Sequence, residues 1–379
     1  MDKYTRHWTV WHSLYLPALA LLKQKFNYSF EKVKQDQPML VIANHVTTWD
    51  PLFVALSFSE KPLYFVASEH LMRTPFVAGL LNTLVEPIAR KKGSIGTDTV
   101  KACLRHLKEG RSVCIFAEGD ATWDGKSGKI FPATGKLAKI SGASLLTYRI
   151  EGGYYSLPRW AEQSRKGKVY GHPVKLYSPE ELKSMTASQV VDAINRDIYE
   201  DADARQKEWH VAYESDCAAE HLETALFLCP HCRQISTLHS EGDRLQCSCG
   251  ASWKLTKYGC FEPADPFQTI ADWDAWQLEE LKKREFDPEK PWFSDSGLVL
   301  KELEKNHQER ELGCGLMTQY ADRLRICDRE FLLKDISNMA MLKRNTLLFT
   351  AGDRYYQVRS EAKANLRKYL AVWLNSTKH

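Results

Sequence analysis

Short, continuous apolar runs alternate with helix-period patterns through the first two hundred residues. Residues 39–43 (MLVIA) and 112–117 (SVCIFA) are short continuous apolar runs with β-branched residues, as strands buried on both faces are. Tyr64 to Ala67 and Ser144 to Ile150 repeat that pattern. Between them, residues 51–58, 75–85, 97–109 and 133–141 have helical spacing, and a helical stretch from Ala187 to about Trp209 closes the segment. Buried strands alternating with helices predict an α/β domain built on a mainly parallel sheet with flanking helices.

Two other patterns flank this core. At the N-terminus, "WTVWHSLYLPALALL" (8–22) sets Trp8, Trp11, Tyr15, Ala18 and Leu22 on one side of a helix. Lys3, Arg6, Lys23, Lys25, Lys32 and Lys34 flank it, against Asp2 and Glu31. Tryptophan and tyrosine favour the headgroup region and lysine favours anionic lipid, so one expectation is a helix lying in a membrane face. The other is a helix packed on the domain core, kinked at Pro17. At the other end, residues 229–260 are rich in Cys and Gly, and residues 266–286 are helical. Several short alternating runs follow between Gly297 and Ser360, with a hairpin turn at Ala351-Gly352-Asp353, then a last helix over 361–374. Six or seven strands and a closing helix predict a small β-barrel or sandwich. The expected segments are 1–34 (interfacial helix), 35–215 (α/β domain), 216–265 (cysteine module), 266–295 (helical linker) and 296–379 (β module).

Composition narrows the picture. At 379 residues the chain is long for one core. A net charge of +4 creates no electrostatic demand for nucleic acid. No apolar run reaches the ~20 residues of a spanning helix, and no secretory cleavage signal is expected. Ten cysteines, four of them in two close pairs, suit a reducing compartment and a metal site better than a disulfide framework.

The candidate chemistry begins at "VIANHVTTWDP" (41–51). His45 and Asp50 would diverge by about 140° within one helix. They meet if His45 sits on a turn after a strand and Asp50 opens the next helix. Asp at the N-cap with Pro51 as the first helical residue predicts that arrangement. The carboxylate then either orients the imidazole as a general base or serves only as a helix cap.

Four blocks in order widen the choice: Asn44-His45 with Asp50, Ile88-x-Arg90, Phe116-x-Glu118-Gly119, and "TYRIEGG" at 147–153. Over roughly residues 1–210 the chain resembles the lysophosphatidate (1-acylglycerol-3-phosphate) acyltransferase family. The resemblance implies that His45 acts as base on an acceptor hydroxyl, which attacks an acyl thioester directly, with Asp50 orienting the imidazole. It further implies that Arg90 contacts an acceptor phosphate and that Asn44, Glu118, Gly119 and Arg149 shape the acceptor site. The donor would be acyl-CoA or acyl carrier protein, and the acceptor a lysophospholipid, in phospholipid synthesis. One departure stands out: the family often has arginine two positions after the Glu-Gly glycine, where this chain has Ala121. Arg90, Arg149 or Arg159 are the candidates to compensate. The alternatives are a phosphate-free lipid acceptor or a catalytically silent membrane-lipid-binding adaptor.

"CPHC" (229–232) and "CSCG" (247–250) offer Cys229, Cys232, Cys247 and Cys249 as two knuckles, a spacing that suits a closed tetrahedral zinc site in a zinc ribbon. Four thiolates leave no open position, so the Zn2+ is expected to be structural. Residues 233–246 form no basic stripe with stacking aromatics, so no nucleic acid is expected. The C-terminal element order resembles a pleckstrin-homology-like or GRAM-like barrel. Such folds often bind phosphoinositides or proteins, with Lys343, Arg344 and Arg354 as headgroup contacts or a solvated rim. The whole reads as a cytoplasmic peripheral membrane O-acyltransferase, working on the inner face of a membrane.

Overall fold

The structure, a computed structural model, describes residues 2–68, 86–90, 96–304, 308–360 and 364–377. The predicted helix 75–85 lies outside the described residues. The chain divides into two compact units, Met1–Arg159 with Ser164–Tyr213, and Trp160–Gln163 with Glu214–His379. The N-terminal helix, expected as a separate segment, belongs to the first unit. The cysteine module, the linker helix and the β module together make up most of the second.

The first unit is built on a seven-stranded sheet. Its strands are β1 (Tyr28–Phe30), β2 (Met39–Ala43), β3 (Tyr64–Ser68), β4 (Ile88–Arg90), β5 (Val113–Phe116), β6 (Ser144–Glu151) and β7 (Val169–Tyr177), in the order β1-β7-β6-β2-β5-β3-β4. The pairings β6–β2, β2–β5, β5–β3 and β3–β4 are parallel, and β7 runs antiparallel to β6. Alternation in β2 explains its unbroken apolar run. Val41 and Ala43 pack with Leu22, Phe26 and Phe53 on one face, and Leu40 and Ile42 pack with Cys103, Leu137 and Val190 on the other.

Three strands escaped the sequence reading. β1 and β4 are three residues each. β7 carries Gly171 and Pro173, residues that read as a turn. Pro173 is tolerated because the register with β6 shifts between Thr147 and Tyr148, where a bulge relieves the ladder of its missing N–H. The predicted helix 187–209 is two helices, Ala187–Ile198 and Ala202–Trp209. Asp201 ends the run by accepting from the amides of Asp203 and Ala204, a fresh N-cap.

Helix α1 spans Lys3–Phe26, longer than the apolar pattern implied, because Asp2 caps it through the Thr5 amide at 3.0 Å. Trp11, Tyr15, Ala18 and Leu22 face the core, with Trp11 Nε1 donating to Phe58 O and Tyr15 OH to Leu56 O, both at 3.0 Å. Trp11, Tyr15, Ala18 and Leu22 of the stripe therefore pack inward, and the core-packed alternative holds for them, whereas Trp8 is 42% exposed. The outward face is apolar as well: Leu14, Leu16 and Leu21 are 51%, 70% and 43% exposed. No helix among the described residues is long and apolar enough to cross a membrane.

The second unit holds a four-stranded antiparallel sheet of β8 (Leu238–Glu241), β9 (Arg244–Cys247), β10 (Ser252–Leu255) and β11 (Phe261–Glu262), the helix Ile270–Lys282, a seven-stranded antiparallel sheet and the helix Arg367–Ser376. The large sheet joins two meanders, β12 (Phe293–Leu303), β13 (Glu309–Gln319), β14 (Arg323–Ile326) and β15 (Arg329–Leu332) with β16 (Ile336–Leu342), β17 (Thr346–Ala351) and β18 (Arg354–Ser360), through β12 and β18. β15 and β16 end it, so among the described residues it is an open half-barrel, where a small β-barrel or sandwich was expected. Buried ion pairs weld the pieces together. Arg367 grips both oxygens of Asp274 at 2.5 and 2.7 Å, and Lys368 meets Asp295 at 2.6 Å. Of the basic residues proposed for a headgroup, Arg344 pairs with Glu162 and Arg354 lies 3.8 Å from Glu302.

Candidate active site

His45, Glu118 and Arg90 all sit at the carboxyl ends of parallel strands: His45 follows β2, Glu118 follows β5, and Arg90 is the last residue of β4. Open α/β sheets place their ligand crevices at this end. After Ala43 the chain turns sharply and re-enters helix α2 (Asp50–Leu56). That turn brings His45 Nδ1 to 2.7 Å from Asp50 Oδ2.

Asp50 does not cap its helix, as the sequence suggested. Trp49 holds the N-cap position, with no side-chain cap bond. The Asp50 carboxylate turns backwards and is fully buried. It accepts from Val46 N at 2.6 Å, Thr47 N at 3.0 Å, Thr47 Oγ1 at 2.9 Å and His45 Nδ1. With every neighbour a donor, the Nδ1 of neutral His45 must carry the proton, which leaves Nε2 with its lone pair. The imidazole stacks on Phe116, ring centres 4.8 Å apart, and its side chain keeps 23% exposure. A part-exposed base, fixed in tautomer by a buried carboxylate, can take a proton from a hydroxyl and hold it.

The loop after β5 holds His45 from the other side. Glu118 Oε1 accepts from His45 N at 2.7 Å, and its Oε2 accepts from Gly128 N at 2.5 Å. Burial pushes the Glu118 carboxyl up to about 8, against the pull of these two amides. Thr122 N donates to His45 O at 3.1 Å, so the histidine backbone is gripped at both its N–H and its carbonyl. Gly119 has φ +85°, and a Cβ there would lie 2.4 Å from the Phe131 ring, so glycine is required by both conformation and space.

Arg90 is buried with its guanidinium against this loop, Nη2 donating to Gly119 O at 3.0 Å. Among the described residues no carboxylate comes within ion-pair distance of it. Burial lowers its basicity, and Asp120 opposes that shift. A buried guanidinium without a paired carboxylate is a ready anion partner.

Two expected site residues are used elsewhere. Asn44 is fully buried, its amide bonding Ile150 O at 2.8 Å and Ile150 N at 2.7 Å, so it stitches β2 to β6. Arg149 donates to Asp197 O at 3.0 and 2.7 Å, at the end of the helix Ala187–Ile198. Arg159, one of the three arginines expected to compensate for Ala121, packs against the loop after β5. Its Nη1 is 2.6 Å from Asp120 Oδ2 and 2.9 Å from Ala121 O, and its guanidinium covers the Trp123 ring at 4.3 Å. No motif announces it, because it comes from a different loop, 38 residues along the chain from Ala121.

In the second unit, the Sγ atoms of Cys229, Cys232, Cys247 and Cys249 all lie within 4.8 Å of one another. Cys229–Cys249 is 3.9 Å and Cys232–Cys247 is 3.7 Å. A tetrahedral zinc with Zn–S of about 2.3 Å has S–S edges of about 3.8 Å, so this donor set fits the ion. His231 packs edge-on against Trp253 and is not part of the cluster.

Residues 25–150, which include His45, Asp50, Arg90 and Glu118, match the family model described as Acyltransferase. The chain is 28% identical over 118 residues to a 1-acyl-sn-glycerol-3-phosphate acyltransferase of Borreliella burgdorferi, covering 31% of this chain and 46% of that protein. It is 25% identical over 128 residues to the chloroplastic 1-acyl-sn-glycerol-3-phosphate acyltransferase LPAT1 of Arabidopsis thaliana, covering 34% and 35%. The chain thus spans less than half the length of either curated relative. Among solved structures it is similar to the 1-acyl-sn-glycerophosphate (LPA) acyltransferase PlsC of Thermotoga maritima, at 18% identity and TM-score 0.42, over 50% of this chain and 75% of that one.

Proposed function

We propose that the acyltransferase-matching segment makes this protein a lipid O-acyltransferase, moving a fatty acyl group from a thioester of CoA or acyl carrier protein to the hydroxyl of a lysophospholipid, with 1-acylglycerol-3-phosphate as the acceptor. The observation that carries this reading is the His45–Asp50 pair at 2.7 Å, with Nε2 left as a base beside the loop that Arg90 touches. His45 Nε2 takes the acceptor's hydroxyl proton as the oxygen attacks the thioester carbonyl. The C–S bond breaks, the new ester C–O bond remains, and the proton held on His45 passes to the departing thiolate. Asp50 stabilises the imidazolium in between. Arg90 receives the acceptor's phosphate.

A phosphate-free acceptor is the second reading, favoured by Ala121 and by the carboxylate of Asp120 in the same loop. A panel of acyl-CoA and acyl carrier protein donors against phosphorylated and uncharged lyso-acceptors separates the two. His45→Ala should abolish thiol release with every pair while the fold survives. Full turnover by that variant would sink the assignment of His45 as the base, and no turnover by the wild type alongside tight vesicle binding would replace acyl transfer with an adaptor role.

The remaining parts follow from the same reading. The four-cysteine module is a structural zinc ribbon, and the open seven-stranded sheet with its closing helix is a pleckstrin-homology-like module. Helix α1 lies on the cytoplasmic leaflet. Its stretch Trp8–Leu22 contains no Asp, Glu, Lys or Arg, Leu14, Leu16 and Leu21 point outward, and Lys23, Lys32 and Lys34 are exposed to meet anionic lipid.

A further inference from the structure

The loop beside His45 contains a carboxylate where an anionic substrate is to be received. Asp120 lies between Gly119, whose carbonyl binds Arg90, and Ala121, whose carbonyl binds Arg159. Asp120 is close enough to Arg90 to act on its basicity, and its side chain keeps 34% exposure. Left to itself, this carboxylate would oppose any anion drawn to Arg90.

Arg159 is built to cancel it. Its side chain is 5% exposed and its Nη1 is 2.6 Å from Asp120 Oδ2. The guanidinium lies over the buried Trp123 ring, and Trp123 O is itself held by Tyr154 OH at 3.0 Å. Arginine is the residue type that stacks on an aromatic face, pairs with a carboxylate and donates to a carbonyl at once. Its contacts fall on residues 120, 121 and 123, on both sides of Thr122, whose amide holds the His45 carbonyl.

We propose that Arg159 is a specificity-determining residue: by pairing with Asp120 it weakens that carboxylate's repulsion of an anion at Arg90, and so selects a lyso-lipid with an anionic head group over an uncharged one. This rests on the acyl-transfer reading above. Arg159 does not touch the reacting atoms, and its effect passes through Asp120.

The test uses the full chain, an acyl-CoA donor, and two acceptors presented in the same detergent micelles, 1-acylglycerol-3-phosphate and 1-acylglycerol. The quantity read is the ratio of kcat/KM for the phosphorylated acceptor to that for the uncharged one. Arg159→Met should lower this ratio at least about tenfold, the scale of one unneutralised like charge beside an anion. Adding Asp120→Asn should bring the ratio back to within about threefold of wild type, because the carboxylate that needed neutralising is gone. A purely structural clamp would slow both acceptors alike, and removing the carboxylate would rescue neither. An unchanged ratio, or no recovery in the double variant, therefore overturns the proposal while acyl transfer stands. A wild-type protein that prefers the uncharged acceptor also overturns it. One that turns over neither acceptor, with an acyl carrier protein donor as well as acyl-CoA, removes acyl transfer and this proposal together.

Discussion

Asp50→Asn is the substitution that bears hardest on the dyad. The two side chains are nearly the same size, so packing is preserved and only charge and one acceptor are lost. Asp50 Oδ2 receives His45 Nδ1, Val46 N and Thr47 N, whereas Oδ1 receives Thr47 N and Thr47 Oγ1. The asparagine oxygen therefore takes the Oδ2 place, and the NH2 faces Thr47, whose hydroxyl can turn to accept. The tautomer of His45 survives, but its imidazolium loses a charged partner. At about 4 Å between charge centres and an effective dielectric of about 20, that loss is about 4 kcal/mol. At 1.36 kcal/mol per decade it slows acyl transfer about a thousandfold. Weakening three charge-assisted bonds to neutral ones costs about 3 kcal/mol of folding stability. Thiol release from acyl-CoA, followed at saturating acceptor, reads the first number, and urea unfolding followed by tryptophan fluorescence reads the second. An Asp50→Asn protein within about tenfold of wild type in kcat would refute the base assignment, whatever its stability.

Three further outcomes are expected. Wild-type protein should hold about one zinc per chain; Cys232→Ser should lose it and melt earlier, and a metal-free preparation whose Tm ignores chelators would exclude the ribbon. Replacing Leu14, Leu16 and Leu21 together by Gln should weaken sedimentation with anionic vesicles at least about tenfold, since each leucine contributes roughly 1 kcal/mol or more on partial burial; unchanged binding would move the membrane contact elsewhere. The third concerns pH. His7 on α1 is 5% exposed, its Nδ1 has no hydrogen-bond partner among the described residues, and burial holds it at about 4, with Glu86 raising it and His106 and Arg111 lowering it. The unfolded chain takes this proton near 6.5, before the folded one does. Its contribution to stability is therefore whole above pH 6.5 and is lost as the pH falls towards 4, by roughly 3 kcal/mol. His7→Phe should flatten that part of the urea-unfolding pH profile, and an unchanged slope would sink the assignment.

The strands β2 and β5 were legible because each is buried on both faces, which writes an unbroken apolar run into the chain. β7 was not, because its Pro173 is acceptable only where β6 supplies a shifted register. Helix α1 shows a different failure. Its aromatic stripe was visible, but whether a stripe meets lipid or protein depends on what lies opposite. Here Phe53, Leu56 and Phe58 lie opposite Trp11, Tyr15 and Leu22, while Trp8 and the leucines at 14, 16 and 21 are exposed.

The sequence by itself determined the reacting types and their order: a histidine after a strand, an aspartate opening a helix, a Glu-Gly after another strand, and four cysteines at zinc-knuckle spacing. Those are local features, set by a few consecutive residues. Only the tertiary structure decided what each polar group faces. It turned Asp50 back onto the amides of Val46 and Thr47, consumed Asn44 on Ile150 and Arg149 on Asp197, and brought Arg159 to Asp120 from another loop. Hydrogen-bond partners far apart in sequence leave no periodic trace, because the free energy that joins them belongs to the pair in space and not to either segment.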